Sequence, residues 1–306
     1  MKLALLGCGL LGGSTAAAWR RHGRVNEVVG YDKDPACAER ARSLGIVEAT
    51  APGVAAAVEG ADVVLLATPV GAIESLLREL AGHLGPETIV TDVGSTKSGV
   101  AASARAALRD AYARFVPAHP IAGGAMPGID FARAELFEGR WVITTPDPST
   151  APTALAAVEA NWLACGARVQ RMQAQEHDRV FAAVSHLPHL LAFALVDFVA
   201  GQPDGPRKLQ FAGAGFRDFS RIAASDPTMW RDVALANRLA LAEQMRGYRR
   251  AIDDLLRAVE EGDASALAEA FARASRARRA QDAADSVDEK TSGRDRQSHD
   301  SQSYDE

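Results

Sequence analysis

Leu3-Ala4-Leu5-Leu6-Gly7-Cys8-Gly9-Leu10-Leu11-Gly12 decides the reading of the first half of the chain. Four apolar residues in a row predict a buried strand, and Gly7, Gly9 and Gly12 then form a G-x-G-x-x-G array at the head of an Ala-rich helical pattern over 10–22. The next strand pattern, over 27–31, ends on Asp32. A glycine array between strand and helix, with an acid closing the second strand, is the signature of a dinucleotide-binding corner. Gly7 permits the tight turn, Gly9 lets the backbone approach a pyrophosphate, and Gly12 lets helix and strand pack closely. The phosphates then meet the free N–H groups of Leu10 and Leu11 and the positive end of the helix dipole. Asp32 is placed to accept from the adenosine ribose hydroxyls and to repel a 2′-phosphate, which favours NAD over NADP.

Outward from this corner the β-α alternation continues. Helical patterns cover 35–44, 73–83, 97–108 and 152–163, and strand patterns cover 62–67, 88–91, 115–117, 141–144 and 167–171. Such alternation implies a parallel sheet covered on both faces, a Rossmann-like domain over 1–173. From 175 onward the strand signals stop. Residues 180–199 predict a long, mostly buried helix, and 229–259 and 264–279 predict two more. The expected architecture is α/β, with an all-helical domain over 174–283 following the nucleotide-binding domain. Long apolar helices without a sheet bury their faces within the chain or against a second copy, so a homodimer is expected. Residues 284–306 lack apolar periodicity and predict a disordered acidic tail.

The bulk numbers fit this plan. The 306 residues are 47% hydrophobic and 24% charged, enough apolar mass for two domains. Of the net charge of −5, all lies in residues 281–306, with eight acids and three bases, so residues 1–280 are neutral. A neutral body gives no electrostatic case for nucleic acid or membrane partners. Cys8, Cys37 and Cys165 are odd in number and far apart in sequence, which points to no disulfide framework, no metal site and a reducing, cytoplasmic setting. The short apolar N-terminus runs directly into glycines and reads as a strand, not a signal peptide.

Four segments carry candidate chemistry. Thr68-Pro69 closes the strand at 62–67, where the two residues either line the nicotinamide-ribose side or simply start the next helix. Asp92-Val93-Gly94-Ser95-Thr96-Lys97 is another strand-to-helix corner, with Ser95 or Thr96 as the expected helix cap. His119-Pro120-Ile121-Ala122-Gly123-Gly124 places a histidine just past a strand end, fixed by prolines and suited to acid–base work. In the helical part, Ser185-His186-Leu187-Pro188-His189 sets a helix-breaking proline between two histidines. Further on, the segment 215–230 carries Arg217 and Arg221, suited to bidentate carboxylate binding or to ion pairs with Asp218 or Asp226.

With its glycine corner, DVGSTK at 92–97, HPIAGG at 119–124, SHLPH at 185–189 and GFRDFSRIAASDPTMW at 215–230, the sequence resembles the prephenate/arogenate (cyclohexadienyl) dehydrogenases of tyrosine biosynthesis over nearly all of residues 1–282. The resemblance implies an NAD-dependent oxidative decarboxylation, of prephenate to 4-hydroxyphenylpyruvate or of arogenate to tyrosine. It implies that His119 takes the proton of the ring 4-hydroxyl while hydride leaves C4, and that Ser95 hydrogen-bonds His119. It further implies that Arg221 binds a substrate carboxylate and that His186 or His189 contacts the substrate, His189 being favoured. Arg217 and Gly123 fall on the substrate side. Many relatives carry an acid two positions after HPxAG, where this chain has Ala125, and the missing carboxylate leans toward prephenate. Two other readings are a β-hydroxyacid-type dehydrogenase, whose working lysine would have to be Lys208, and a non-catalytic NAD-binding sensor.

Overall fold

The computed structural model describes residues 1–124 and 126–300, with side chains described as far as 283. The chain forms two compact units, one spanning Met1–Gln244 and one beginning at Met245.

The first unit is built on a six-stranded sheet of β1 (Lys2–Leu6), β2 (Glu27–Tyr31), β3 (Ala49–Thr50), β4 (Val63–Leu66), β5 (Ile89–Asp92) and β6 (Phe115–Val116). All its pairings are parallel and the order is β3-β2-β1-β4-β5-β6. The connections are helices α1 (Leu10–Arg21), α2 (Pro35–Ser43), α3 (Val54–Val58), α4 (Val70–Leu80) and α5 (Ser98–Leu108). Because strand side chains alternate, Leu3, Leu5, Val63 and Leu65 point into one core with Trp19 and Trp162, while Ala4, Leu6, Val64 and Leu66 point into another with Leu77, Leu80 and Leu108. The strand order reverses between β1 and β4, so the crevice at their carboxyl ends is where the fold binds ligands.

The expected single sheet is in fact two. Pro117, which has no N–H to donate, separates β6 from β7 (Ala118–Pro120). β7 joins a second, three-stranded sheet with β8 (Trp141–Thr144) and β9 (Arg168–Arg171), antiparallel to β8, while β8 and β9 are parallel. Helix α6 (Pro152–Ala164) links β8 and β9 and packs Trp162 edge-on to Trp19, with ring centroids 5.4 Å apart.

Helices α7 (Ala174–Phe181), α8 (Leu187–Ala200), α9 (Gly205–Gln210), α10 (Ala214–Ser220) and α11 (Pro227–Ala236) complete the first unit, with the start of α12 (Arg238–Glu260). A π-turn over Ala182–His186 joins α7 to α8. Pro188 thus falls in the first turn of α8, where its missing N–H costs no hydrogen bond. The run Ala174–Ala200 is long and apolar enough to cross a membrane by length and composition. Its first half is nonetheless tied into the unit by the buried, hydrogen-bonded His177, Asp178 and His186. The expectation that 180–199 is mostly buried fails for α8. Only Ala192 is fully buried there, and Phe198 is 66% exposed, because the helix is apolar all round while the first unit covers one side of it.

The second unit holds the rest of α12 and α13 (Ala264–Asp300). An unstructured tail is expected from 284; the backbone of α13 is helical as far as Asp300. Residues 301–306 lie outside the described residues.

Candidate active site

At the glycine corner each residue has a steric reason. Gly7 has φ +107°, and a Cβ there would stand 2.6 Å from the carbonyl of Ala67 at the end of β4. A Cβ on Gly12 would stand 2.3 Å from the Gly7 oxygen, so this glycine lets α1 rest on β1. A Cβ on Gly9 would meet nothing within 4 Å, which leaves the approach to the helix N-terminus open. Leu10 and Leu11 begin α1, whose N-terminus has no side-chain cap and no acid in its first turn. These features fit a dinucleotide pyrophosphate, which takes the place of a cap. Cys8 stays a neutral thiol beside it, pushed up to about 12 by burial and by the charge of Asp32. The Asp32 carboxylate accepts from the Cys8 N–H at 2.8 Å and from the Asp34 N–H at 3.0 Å, which fixes its orientation at the end of β2. Pro69 is the N-cap of α4, and the buried Thr68 hydroxyl beside it has no hydrogen-bond partner among the described residues.

His119 lies on β7, and its loop returns to the same corner: a Cβ on Gly124 would stand 3.1 Å from the Leu10 side chain. Gly123 is exposed with open space around its Cα, and Ala125 lies outside the described residues. His119 is buried and held well below the ordinary imidazole value by burial first, then by His177, Lys97 and His186, so it stands neutral. The residue before it is clamped at both peptide groups. The Ala118 N–H donates to Asp92 Oδ1 at 3.2 Å, and the Ala118 carbonyl accepts from Lys97 Nζ at 2.7 Å. Lys97 Nζ also pairs with Asp92, and both side chains are 0% exposed.

Ser95 differs from its expected role. It is half-buried at the corner but makes no hydrogen bond to His119, whose Nδ1 lies instead 2.8 Å from Nε2 of His177 on α7. His177 Nδ1 is 2.9 Å from Asp178 Oδ1. Nor does Ser95 or Thr96 cap α5. The Asp178 carboxylate does so from another helix, accepting from the N–H groups of Lys97 at 2.8 Å and Ser98 at 2.9 Å. Burial alone would raise Asp178, but its hydrogen bonds from His177, Ser98 and Lys97 outweigh burial and keep it ionised. Asn237 Nδ2 donates to the Asp178 carbonyl at 2.7 Å and lies 3.1 Å from His186 Nδ1. Sequence reasoning missed His177, Asp178 and Asn237.

The two histidines of SHLPH separate. His186 is fully buried and pushed down to about 4 by burial, against the pull of Asp178. His189 is half-buried, with Nδ1 donating to the Ser185 carbonyl at 2.9 Å and its ring stacked on Trp230. Burial lowers His189, and the Arg221 charge adds to that, which sets Arg221 beside it. Arg221 is exposed at the end of α10. Arg217 instead donates to the Ala212 carbonyl at 2.7 and 3.0 Å. Neither arginine forms an ion pair among the described residues, and Asp226 caps α11 at the Met229 N–H. Lys208 is exposed and donates to Gln202, a placement that gives it no part in acid–base work here. No cluster of metal-ligating side chains occurs among the described residues.

The model of the prephenate dehydrogenase nucleotide-binding domain matches residues 15–171, and that of the prephenate dehydrogenase dimerization domain matches 173–273. The chain belongs to the prephenate dehydrogenase family. Among family members it is 35% identical to the cyclohexadienyl dehydrogenase of Zymomonas mobilis, over 90% of this chain and 94% of the relative. To the prephenate dehydrogenase of Bacillus subtilis it is 36% identical, over 87% and 72%. Among solved family structures, the Aquifex aeolicus prephenate dehydrogenase in complex with hydroxyphenyl propionate and NAD+ superposes with a TM-score of 0.86 at 33% identity, covering 91% of this chain and 97% of that one. The Synechocystis arogenate dehydrogenase superposes with a TM-score of 0.76 at 30% identity, covering 92% and 100%.

Proposed function

We propose that the protein oxidatively decarboxylates prephenate, arogenate or both, using NAD, in tyrosine biosynthesis. The observation that carries this reading is the buried, neutral His119 on β7, whose following loop packs against the glycine corner. The glycine corner and Asp32 hold the dinucleotide, which when bound supplies the acceptor for the C4 hydride. A neutral imidazole is the form that accepts the ring 4-hydroxyl proton as that hydride leaves. Loss of the ring carboxylate as CO2 restores aromaticity, and the proton on His119 returns to the phenolic oxygen. Ser95 orients the substrate side of this corner, and Thr68 and Pro69 face the nicotinamide ribose. Arg221 meets a substrate carboxylate, and His189, with its Nδ1 already engaged, offers Nε2 to the substrate. His186, Arg217 and Gly123 shape the substrate side of the site.

The helical segment from 174 to 283 supplies the substrate and dimer contacts. The apolar α8, with one buried residue of its fourteen, packs against a second copy rather than a lipid bilayer, and the cytoplasm is the setting. The missing acid at position 125 favours prephenate over arogenate, whose ammonium group would find no carboxylate there. The test is NADH formation followed by absorbance, with NAD and prephenate or arogenate in parallel. Turnover of prephenate is expected; no turnover of either substrate overturns the reading.

A further inference from the structure

His177 and Asp178 sit where the α7 pattern buries residues. With Ala174 and Phe181 they form one helix face, and both lie against β7 and the start of α5. Two polar side chains on a buried face need complete partners. Asp178 has them: His177 Nδ1 on Oδ1, the Lys97 N–H on Oδ1 and the Ser98 N–H on Oδ2. His177 has its two nitrogens on Asp178 and His119, at 2.9 and 2.8 Å. Phe181 closes the other side, with ring centroids 4.9 Å from His119 and 4.5 Å from His177.

Each proton in this chain is forced. An ionised carboxylate only accepts, so His177 Nδ1 carries hydrogen. A neutral His177 then has a bare Nε2, which only accepts, so His119 Nδ1 carries hydrogen. A neutral His119 is thereby left with a bare Nε2. We propose that His177 and Asp178 are a positioning pair that fixes His119 in its Nδ1–H tautomer and keeps its Nε2 lone pair free for the substrate proton. This rests on the reading of His119 as the base.

The surrounding charges suit that task. The buried set facing the pair is Asp92 and Lys97 from the corner, Asp178 on α7 itself and His186 from the π-turn. With neutral histidines, two carboxylates and one ammonium leave this set one negative charge in excess. A proton arriving on His119 neutralises it, and the new imidazolium keeps its Nδ1–H bond to His177. A purely structural tie between α7, α5 and β7 needs the same contacts but no particular tautomer.

The test uses the full-length protein. In Asp178→Asn an amide NH2 in the place of Oδ1 can donate to His177 Nδ1, while the remaining oxygen keeps the Ser98 N–H of the α5 cap and the Lys97 N–H loses its acceptor. Both histidines then invert, and His119 becomes Nε2–H. The expected kcat loss is on the order of 10³–10⁴-fold, the scale of tautomer inversion in the Ser-His-Asp triad, with the KM for NAD unchanged. His177→Leu is expected to lose roughly 100-fold in kcat, the scale of a general base. His177→Gln, which restores an acceptor, is expected to recover most of that loss. Nitrogen-15 spectra of histidine-labelled wild type are expected to show His119 as Nδ1–H, and a swapped tautomer in Asp178→Asn. Wild-type His119 found as Nε2–H overturns the proposal, as does turnover in Asp178→Asn and His177→Leu within about threefold of wild type. Failure of wild type to turn over either substrate counts against the proposed function instead, and the spectra still decide the tautomer.

Discussion

The imidazole of His189 lies face to face on the indole of Trp230, with ring centroids 3.5 Å apart and planes inclined by 19°. Trp230 sits on α11 and is buried, so the stack ties α8 to α11 at the place where the Arg221 charge reaches His189. With Nδ1 bound to the Ser185 carbonyl and the ring plane set by Trp230, only Nε2 is left to meet a ligand. Stacking of this kind is worth about 0.5–1.5 kcal/mol beyond buried area. Trp230→Phe should keep most of it, whereas Trp230→Leu should raise the substrate KM roughly two- to tenfold with little change in kcat. Steady-state kinetics on both variants decide it; an equal KM in wild type and Trp230→Leu would remove His189 from substrate binding.

Gly9 and Gly12 should respond differently to the same methyl group. At Gly12 a Cβ collides with the Gly7 oxygen at 2.3 Å and with Ala67 and Leu5 side chains, so Gly12→Ala strains the packing of α1 on β1 and should cost about 1–3 kcal/mol of stability. At Gly9 a Cβ meets nothing within 4 Å among the described residues, so Gly9→Ala should melt like wild type. The same methyl enters the space a pyrophosphate needs, and NAD affinity should fall at least tenfold, by about 1.4 kcal/mol or more. Thermal melting beside calorimetric titration with NAD separates the two effects. Unimpaired NAD binding by Gly9→Ala would place the cofactor elsewhere.

The Asp92–Lys97 pair is wholly buried and holds both peptide groups of Ala118, one residue before His119. Burial lowers Lys97, and the Asp92 carboxylate opposes it. Removing one partner strands the other charge in the interior. Lys97→Met should therefore destabilise the fold by about 3–5 kcal/mol, and the double variant Lys97→Met/Asp92→Leu by clearly less. Urea denaturation of the single and double variants measures the difference.

Much of this architecture is legible in the sequence because its signals are local. The glycine array, Asp32 and the apolar strands declare the parallel sheet, and β2 and β8 fall on the bounds their patterns predict. The split into two sheets is not legible, since Pro117 reads as a strand end and nothing in the pattern says that β7 pairs antiparallel with β8. The five-residue α3 and two-residue β3 are too short to carry a period. In the site, His119 stands out by its prolines and glycines. Its partner His177 lies 58 positions away, and no local rule joins them. The one available signal was the pattern Ala174, His177, Asp178, Phe181, which puts a histidine and an aspartate on the apolar face of an amphipathic helix. Ser95 misled because a hydroxyl at a helix start reads as a cap, whereas the cap arrives from Asp178 on a different helix.

The burial of His186 makes stability depend on pH in a direction that can be stated. In the fold its pKa is pushed down to about 4 by burial; in the unfolded chain it returns to the ordinary value near 6.5. Between those values the unfolded chain binds more protons than the native one, so falling pH favours unfolding. The contribution is fully present above pH 6.5 and is lost as pH falls toward about 4. Over that window the loss is on the order of 3 kcal/mol, at about 1.4 kcal/mol per unit. His119 and His177, both lowered chiefly by burial, change stability in the same sense. Many carboxylates also titrate in this range, so the informative quantity is a difference between proteins. His186→Gln keeps an amide for Asn237 to bond but has no proton to gain. Its stability should fall less steeply than that of wild type between about pH 7 and about pH 5, by roughly 1–2 kcal/mol over the interval. Parallel slopes in urea denaturation across that range would show that His186 is not held neutral in the fold.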